Sequence, residues 1–464
     1  MGGMNPAAPQ ATTATHTPTL TPTLTGPEAA PAACRRPHRP PSPGRRRALC
    51  CGAAAVVGLF STLLAAEATA ARGDPTSTGP DGWAASLPPE HPAQALLQHA
   101  LAGLDPAQLW DAHAHLLGTG DSGSGCSVDP RMTQWWHPTA ALRRQVILRA
   151  AGVPAGAASV DQAYVARLQA LAAGFPAGAR WLLYAFDVAL DDAGRHRPDW
   201  TTFHVPDRHA AQVAASTPER FGWVASVHPR RVDALARLDA ALSGGALALK
   251  WLPSAMNIDL ADPRLAPFYA RLAQARLPLI VHCGEEHAVP GAGRAALGNP
   301  LAVRVPLAAG VRVIVAHCAS LGQALDTDLR QPRPAQAFAL FARLMDEGHA
   351  GLLGDVSALF QVNRRASVWR NVLSRPDWHA RLLHGSDYPL PGVGPLYQPV
   401  ALVAAGLLPA ADLAPLQALR ASHPLLFDLV LKRRVRWQGQ GLADAVFQTR
   451  RHFQAPLAGP LGPN

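Results

Sequence analysis

The sequence predicts an α/β fold, a closed (β/α)8 TIM barrel, with a disordered N-terminal leader and a helical C-terminal extension. Three observations carry that expectation. Apolar runs of strand length recur eight times between residues 109 and 387. Ala/Leu/Arg-rich stretches of helical character follow many of them. Each run ends in a polar residue, where an ordinary barrel core would finish with Val, Ile or Thr.

The runs are Leu109–His115, Trp181–Asp187, Trp223–His228, Ala246–Lys250, Leu279–His282, Val311–His317, Leu352–Asp355 and Leu382–Asp387. Parallel strands covered by helices read as continuous apolar runs. Eight strand–helix units in roughly 290 residues are the content of one barrel. An open, doubly wound sheet is the competing architecture. Gly118-Thr119-Gly120-Asp121-Ser122-Gly123 matches G-x-G-x-x-G in its letters, but that motif has meaning only where it opens a helix. Ser124-Gly125-Cys126-Ser127-Val128-Asp129-Pro130 follows, which is loop chemistry.

The flanking segments divide as follows. Residues 1–44 are rich in Pro, Thr and Ala without apolar periodicity and are expected to be disordered. Residues 45–72 carry Arg45-Arg46-Arg47, an apolar run from Ala48 to Ala66 and Ala68-Thr69-Ala70, the three parts of a secretory signal. The paired arginines allow twin-arginine as well as Sec export machinery as a partner. An exported or periplasmic protein is therefore expected, with a retained membrane anchor as the alternative. Residues 73–104 read as a linker and short helix, 105–397 as the barrel, and 398–464 as C-terminal helices and a tail. Within the last segment, the apolar stretch Pro424–Leu431 is expected to close the bottom or side of the barrel.

Composition narrows the function. The chain has 464 residues, 48% hydrophobic and 16% charged, which suits a globular enzyme. Its net charge of +10 does not read as a nucleic-acid signature, because seven arginines within residues 1–72 against Glu28 and Glu67 supply about half the excess. Lys432, Arg433, Arg434 and Arg436 form the other basic cluster, read as a solvated helix end. Only Lys250 and Lys432 of the 42 basic residues are lysines, which raises the question of what arginine could not do there. Of six cysteines, Cys126, Cys283 and Cys318 fall in the body without CxxC spacing, so no disulfide framework or zinc knuckle is expected.

Catalytic groups of such barrels come from the C-terminal ends of the strands. Those ends carry Asp111, His113, His115, Asp187, His228, Lys250, His282, His317, Asp355 and Asp387. So many imidazoles and carboxylates at one mouth call for a cation among them. In Asp111-Ala112-His113-Ala114-His115, the i and i+2 histidines share a strand face and suit one divalent ion. His282 and His317 end the fifth and sixth runs at matching depth, as ligand or catalytic groups. Cys283 and Cys318 point the other way and read as packing. Asp387, in Gly385-Ser386-Asp387-Tyr388-Pro389, has a carboxylate able to hold a metal and take a proton from water. Lys250 is open to three readings: a carbamate bridging two ions, an ammonium that binds substrate, or an ion pair with Glu285 or Glu286.

The order H-x-H, strand-ending Lys, His, His, then Gly-Ser-Asp-Tyr-Pro resembles the amidohydrolase superfamily, and particularly its amidohydrolase-2 branch, over roughly residues 105–431. The resemblance implies that His113, His115, His282 and Asp387 hold the catalytic metal. It also implies that His317 binds a second metal or polarises the substrate. A fourth-strand lysine implies two ions joined through carboxylated Lys250, whereas the branch usually uses one. His384 before Gly-Ser-Asp departs from the usual apolar residue.

The expected function is hydrolysis of an amide, ester or lactone bond of a small molecule at a divalent metal, most simply zinc, with manganese or iron as alternatives. Asp387 would act as base and His317 as polarising group, over water made acidic by the metal. Glu285, Glu286 and Asp355 are expected at the rim, contacting substrate, and the Gly120–Cys126 loop as a mobile lid or a substrate loop. The second expectation is a non-oxidative decarboxylase of an aromatic or enol acid, with Arg131 and Arg364 as candidate carboxylate binders. An exported binding protein without catalysis is the third. A homo-oligomer is compatible with any of them.

Overall fold

The computed structural model describes residues 87–88 and 90–453; the leader, the export signal and the end of the C-terminal tail lie outside these residues. Eight parallel strands follow in chain order: β1 (Trp110–His115), β2 (Arg180–Tyr184), β3 (Phe221–Val224), β4 (Leu249–Trp251), β5 (Leu279–His282), β6 (Val313–Ala316), β7 (Leu352–Asp355) and β8 (Leu382–Leu383). β1 to β3 form one hydrogen-bonded series and β4 to β8 another. Two parallel bridges join them. Ala225, just after β3, pairs with Leu249, and Ala114 of β1 pairs with Tyr388, beyond β8. The barrel sheet is closed, with no open edge among its eight strands.

Alternation along the strands separates two cores. Trp110, Ala112, Leu182, Val224, Ile280 and Ile314 pack against one another inside the barrel. Their neighbours Leu183, Leu249, Leu279, Val281, Val313 and Val315 pack outward under the helices. Those helices present matching stripes. Ala337–Asp346, for example, buries Ala337, Leu340, Phe341, Leu344 and Met345 at helical spacing. Each such large side chain contributes about 1.5–3 kcal/mol through burial.

The eighth run is expected to be extended as far as Asp387, but regular pairing stops at Leu383. The chain stays beside β1 through single bonds: Ala112 N donates to His384 O and Asp387 N donates to His113 O. Gly385 makes this approach possible, since a Cβ there would stand 2.6 Å from that of His113.

The bottom of the barrel is closed by the last described residues. Phe453 belongs to the interior core, and Thr449 exchanges hydrogen bonds with the backbone of Trp110. Helix Pro424–Arg434 lies at the side, buried from Pro424 through Lys432. The solvated reading of its basic end is corrected here. Lys432 is 1% exposed and donates to Asp428 Oδ2 and Gly385 O, each at 2.6 Å, while Arg434 pairs with Asp412. Among the described residues no helix is long and apolar enough to cross a membrane.

Candidate metal centre

β1 supplies two imidazoles. The pairing of β1 with β2 shifts register between Asp111 and Ala114, so Ala112 and His113, though adjacent, both reach inward. A bulge re-aims a side chain in this way. Asp111 is turned between β1 and the end of β8, where its Oδ1 accepts from His113 N and Ser386 N. Burial pushes its carboxyl up to about 6.

His113 Nδ1 lies 3.0 Å from Asp355 Oδ2, and its Nε2 lies 3.3 Å from His115 Nε2. Asp387 Oδ1 stands 3.5 Å from His113 Nε2 and 3.1 Å from His115 Nε2. Burial, reinforced by the charge of Lys250, pulls His113 well below the usual imidazole range, so its ring is neutral. With the Nδ1 proton given to Asp355, the lone pair on Nε2 points at the other two donors. The ligand atoms of His113, His115 and Asp387 all lie within 4.8 Å of one another. Asp387 is held at φ 59°, a left-handed conformation that aspartate tolerates better than most residues.

His317, also left-handed at φ 54°, stacks on His113 with ring centroids 4.8 Å apart. Its Nδ1 is 2.8 Å from Ser357 Oγ and 3.1 Å from Ser357 O. Burial, with His113 beside it, keeps it neutral. His113, His317 and Asp355 form a second group of converging donors. His282 stands edge-on to His317 at 5.2 Å but belongs to neither group. Its Nδ1 faces Glu286 Oε2 at 3.3 Å and its Nε2 faces Glu285 O at 3.4 Å.

Lys250 is 1% exposed, and its Nζ has no hydrogen-bond partner. The ion pair with Glu285 or Glu286 is not formed. Burial draws its ammonium down to about 8 against the pull of Asp355, Asp387 and Glu286, and its Nζ stands 5.3 Å from the centroid of the Tyr184 ring.

The three residues expected at the rim separate. Asp355 is 1% exposed and lies beneath the site: it binds His113, and its Oδ1 accepts from the backbone of His317 and Ser357. The last residue of β7 points into the barrel, which removes it from a substrate-contacting rim. Glu285 is exposed, pairs with His287 and does not enter the site. Glu286 does. Although burial opposes its charge, His282 and the backbone N–H groups of Ala288 and Val289 hold its carboxyl below the usual range.

Asp187 and His228 are structural. Asp187 pairs with Arg231 and accepts from His228 N, and His228 Nε2 meets Met256 O. The Gly120–Cys126 loop is pinned where a mobile lid is expected. Asp161 accepts from Thr119 N, Gly120 N, Ser122 Oγ and Ser124 Oγ, and Asp121 accepts in turn from Ser159 and Val160. Ser357 is the residue that sequence reasoning missed. Its Oγ meets His113 Nδ1, His317 Nδ1 and Asp355. The signal was present in Asp355-Val356-Ser357, the i and i+2 spacing already noticed in His113 and His115. Cys126, Cys283 and Cys318 are buried and free.

The donor set fits a divalent cation. Neutral imidazole nitrogens and a carboxylate oxygen crowd one point, and a buried ammonium without a partner stands nearby. Such an ammonium is costly unless an anion shares its space.

The family model described as Amidohydrolase matches residues 110–419. No curated protein matches the chain. Among solved structures, a TIM-barrel protein from Bordetella bronchiseptica is similar at 16% identity and TM-score 0.40, covering 66% of this chain and 94% of its own. A 2,6-dihydroxybenzoate decarboxylase from Rhizobium is similar at 13% identity and TM-score 0.35, covering 69% and 98%. A 5-carboxyvanillate decarboxylase from Novosphingobium aromaticivorans with bound manganese is similar at 11% identity and TM-score 0.35, covering 61% and 87%. Scores this low carry no part of the assignment, which stands on the family match and on the barrel itself. Because that match runs from β1 through the first C-terminal helices and takes in every residue of the metal centre, the chain belongs to the amidohydrolase family.

Proposed function

We propose that the protein hydrolyses an amide, ester or lactone bond of a small molecule, at a zinc ion held by His113, His115 and Asp387. The observation that carries this reading is the meeting of His113 Nε2, His115 Nε2 and Asp387 Oδ1 within 3.1–3.5 Å. Nitrogen and oxygen donors with neutral imidazoles suit zinc. A single ion is favoured, because the two donor groups share His113, whose Nδ1 is already committed to Asp355. When bound, such an ion supplies Lewis acidity and lowers the pKa of water.

The protein's own residues do the rest. Asp387 Oδ2 has no hydrogen bond among the described residues and is free to take a proton from water, while Oδ1 is committed to the imidazoles. His317, fixed by Ser357, presents its Nε2 to the bond under attack. The ammonium of Lys250 lends positive potential to the oxyanion that develops there. The buried Tyr184 ring, 4.6 Å from His113, excludes water from behind the site.

Metal analysis of the full chain, paired with a screen of amides, esters and lactones, tests this reading. About one ion per chain is expected, with Asp387→Asn lowering turnover by about 10²–10⁴-fold. Full activity after exhaustive chelation sinks the proposal. Lys250→Ala is expected to leave the ion count at one; a fall from two ions would establish a carbamate bridge in its place. Non-oxidative decarboxylation is the second reading, favoured by Arg364, a buried cation near the mouth suited to an acid. We also propose export, supported by the Arg45-Arg46-Arg47 and Ala68-Thr69-Ala70 pattern; sequencing the mature N-terminus from the producing cell tests it.

A further inference from the structure

The mouth of the barrel carries cations that its own carboxylates do not use. Arg364, in the loop after β7, is 9% exposed. Its Nε donates to Ser320 Oγ at 3.1 Å, and its Nη1 donates to Gln361 Oε1 at 3.1 Å and to Asn363 Oδ1 at 2.7 Å. All three acceptors are neutral, and Arg364 has no ion-pair partner among the described residues. Its Nη2 donates to none of them, yet it is not among the polar atoms sealed from solvent. One end of the guanidinium is thus fixed and the other is open.

Ser320 stands three residues beyond His317, and the carboxylates whose charge reaches the guanidinium are Asp387 and Glu286. Arg143 of helix Pro138–Ala150, which also feels the charge of Glu286, is partly buried and likewise without a hydrogen bond or ion pair among the described residues. Arg131, the other arginine singled out from the sequence, is spoken for: it grips Asp129 and is half-exposed. A desolvated guanidinium without a counter-ion is costly, and arginine cannot relieve that cost by losing its proton. An anion brought by the ligand would relieve it.

We infer that Arg364 seats a carboxylate of the substrate, so that the small molecule acted on is an acid held by its carboxylate at Nη2. The inference rests on the metal-site reading only for where the reacting bond lies. A charge-assisted hydrogen bond in this desolvated position discriminates an acid from its neutral amide by about 10–100-fold. The hydrolase reading then narrows to amides, esters or lactones that carry a separate carboxylate, and the decarboxylase reading acquires a group to hold its acid.

Benzoate and benzamide, alike in shape and different in charge, are the probes, with binding measured by calorimetry on the zinc-supplemented full chain. Zinc itself attracts benzoate, so the comparison is between variants. Arg364→Gln is expected to reduce the benzoate-to-benzamide preference at least ~10-fold; an unchanged preference overturns the inference. Arg364→Lys, which keeps the charge if the glutamine variant fails to fold, is expected to weaken benzoate severalfold and leave benzamide unmoved. No shift there overturns it equally. Zinc content is read on the same samples. Wild-type protein that retains no zinc sinks the metal reading, while the preference ratio still judges Arg364 by itself.

Discussion

Asp355 shows how one carboxylate sets the chemistry of a neighbour. Its Oδ1 is occupied by backbone N–H groups, and its Oδ2 faces His113 Nδ1. Asp355→Asn keeps the Oδ1 contacts but turns an amide N–H toward the imidazole, which moves the ring proton to Nε2, the atom aimed at the metal. Zinc affinity is expected to fall about 10–100-fold, read by competition with a chromophoric chelator. Unchanged affinity would show that Asp355 does not set the tautomer. At this scale the sequence was legible in the shared face of His113 and His115, whereas the register shift in β1 that turns that face inward was not. It was not legible for Glu285 and Glu286. Strand alternation ends at His282, and the loop alone turns one glutamate to solvent and the other to the imidazole. The occurrence of lysine at 432 is answered by the buried pair with Asp428. Nothing in the structure explains His384, buried with its Nδ1 unpartnered.

The elements were found from the sequence at nearly their observed places, because buried parallel strands leave an apolar run whatever their neighbours. What escaped was local closure. β8 has only two paired residues, and its continuation depends on the missing Cβ of Gly385, a feature of two segments that no single run records. The ties of Gly120–Cys126 were hidden for a related reason, since its glycines suggested freedom while Asp161, in helix Val160–Ala173, holds the loop through hydrogen bonds. Helix Pro424–Arg434 offers a test of its own. His423 caps it, with Nδ1 accepting from Leu426 N at 3.2 Å and Nε2 donating to Leu171 O at 3.0 Å. Burial pulls its pKa from 6.5 to about 3. The folded form therefore stays neutral while the unfolded chain takes up a proton below pH 6.5, so this contribution to stability falls as the solution is acidified. Between pH 7 and pH 5 the wild type should lose about 2 kcal/mol more than His423→Asn, which still caps the helix. Equal losses in urea titrations at the two pH values would remove His423 as the cause.

The whole molecule depends on the two ends of the barrel in different ways. Phe453 fills the bottom from a position more than three hundred residues beyond Trp110, and both belong to one interior core. Phe453→Ala should cost about 3–5 kcal/mol while leaving zinc affinity of the folded protein unchanged, because the metal centre is at the opposite end. A parallel loss of zinc affinity, measured below the unfolding transition, would contradict that separation. The mouth, by contrast, is assembled from the first and the last strand, with His115 and Asp387 separated by 272 residues. A chain still emerging from its ribosome, or one clipped before Asp387, owns the histidine pair without the carboxylate. No partial barrel can therefore begin reacting early: the fold admits its metal chemistry only after the circle of strands has been completed.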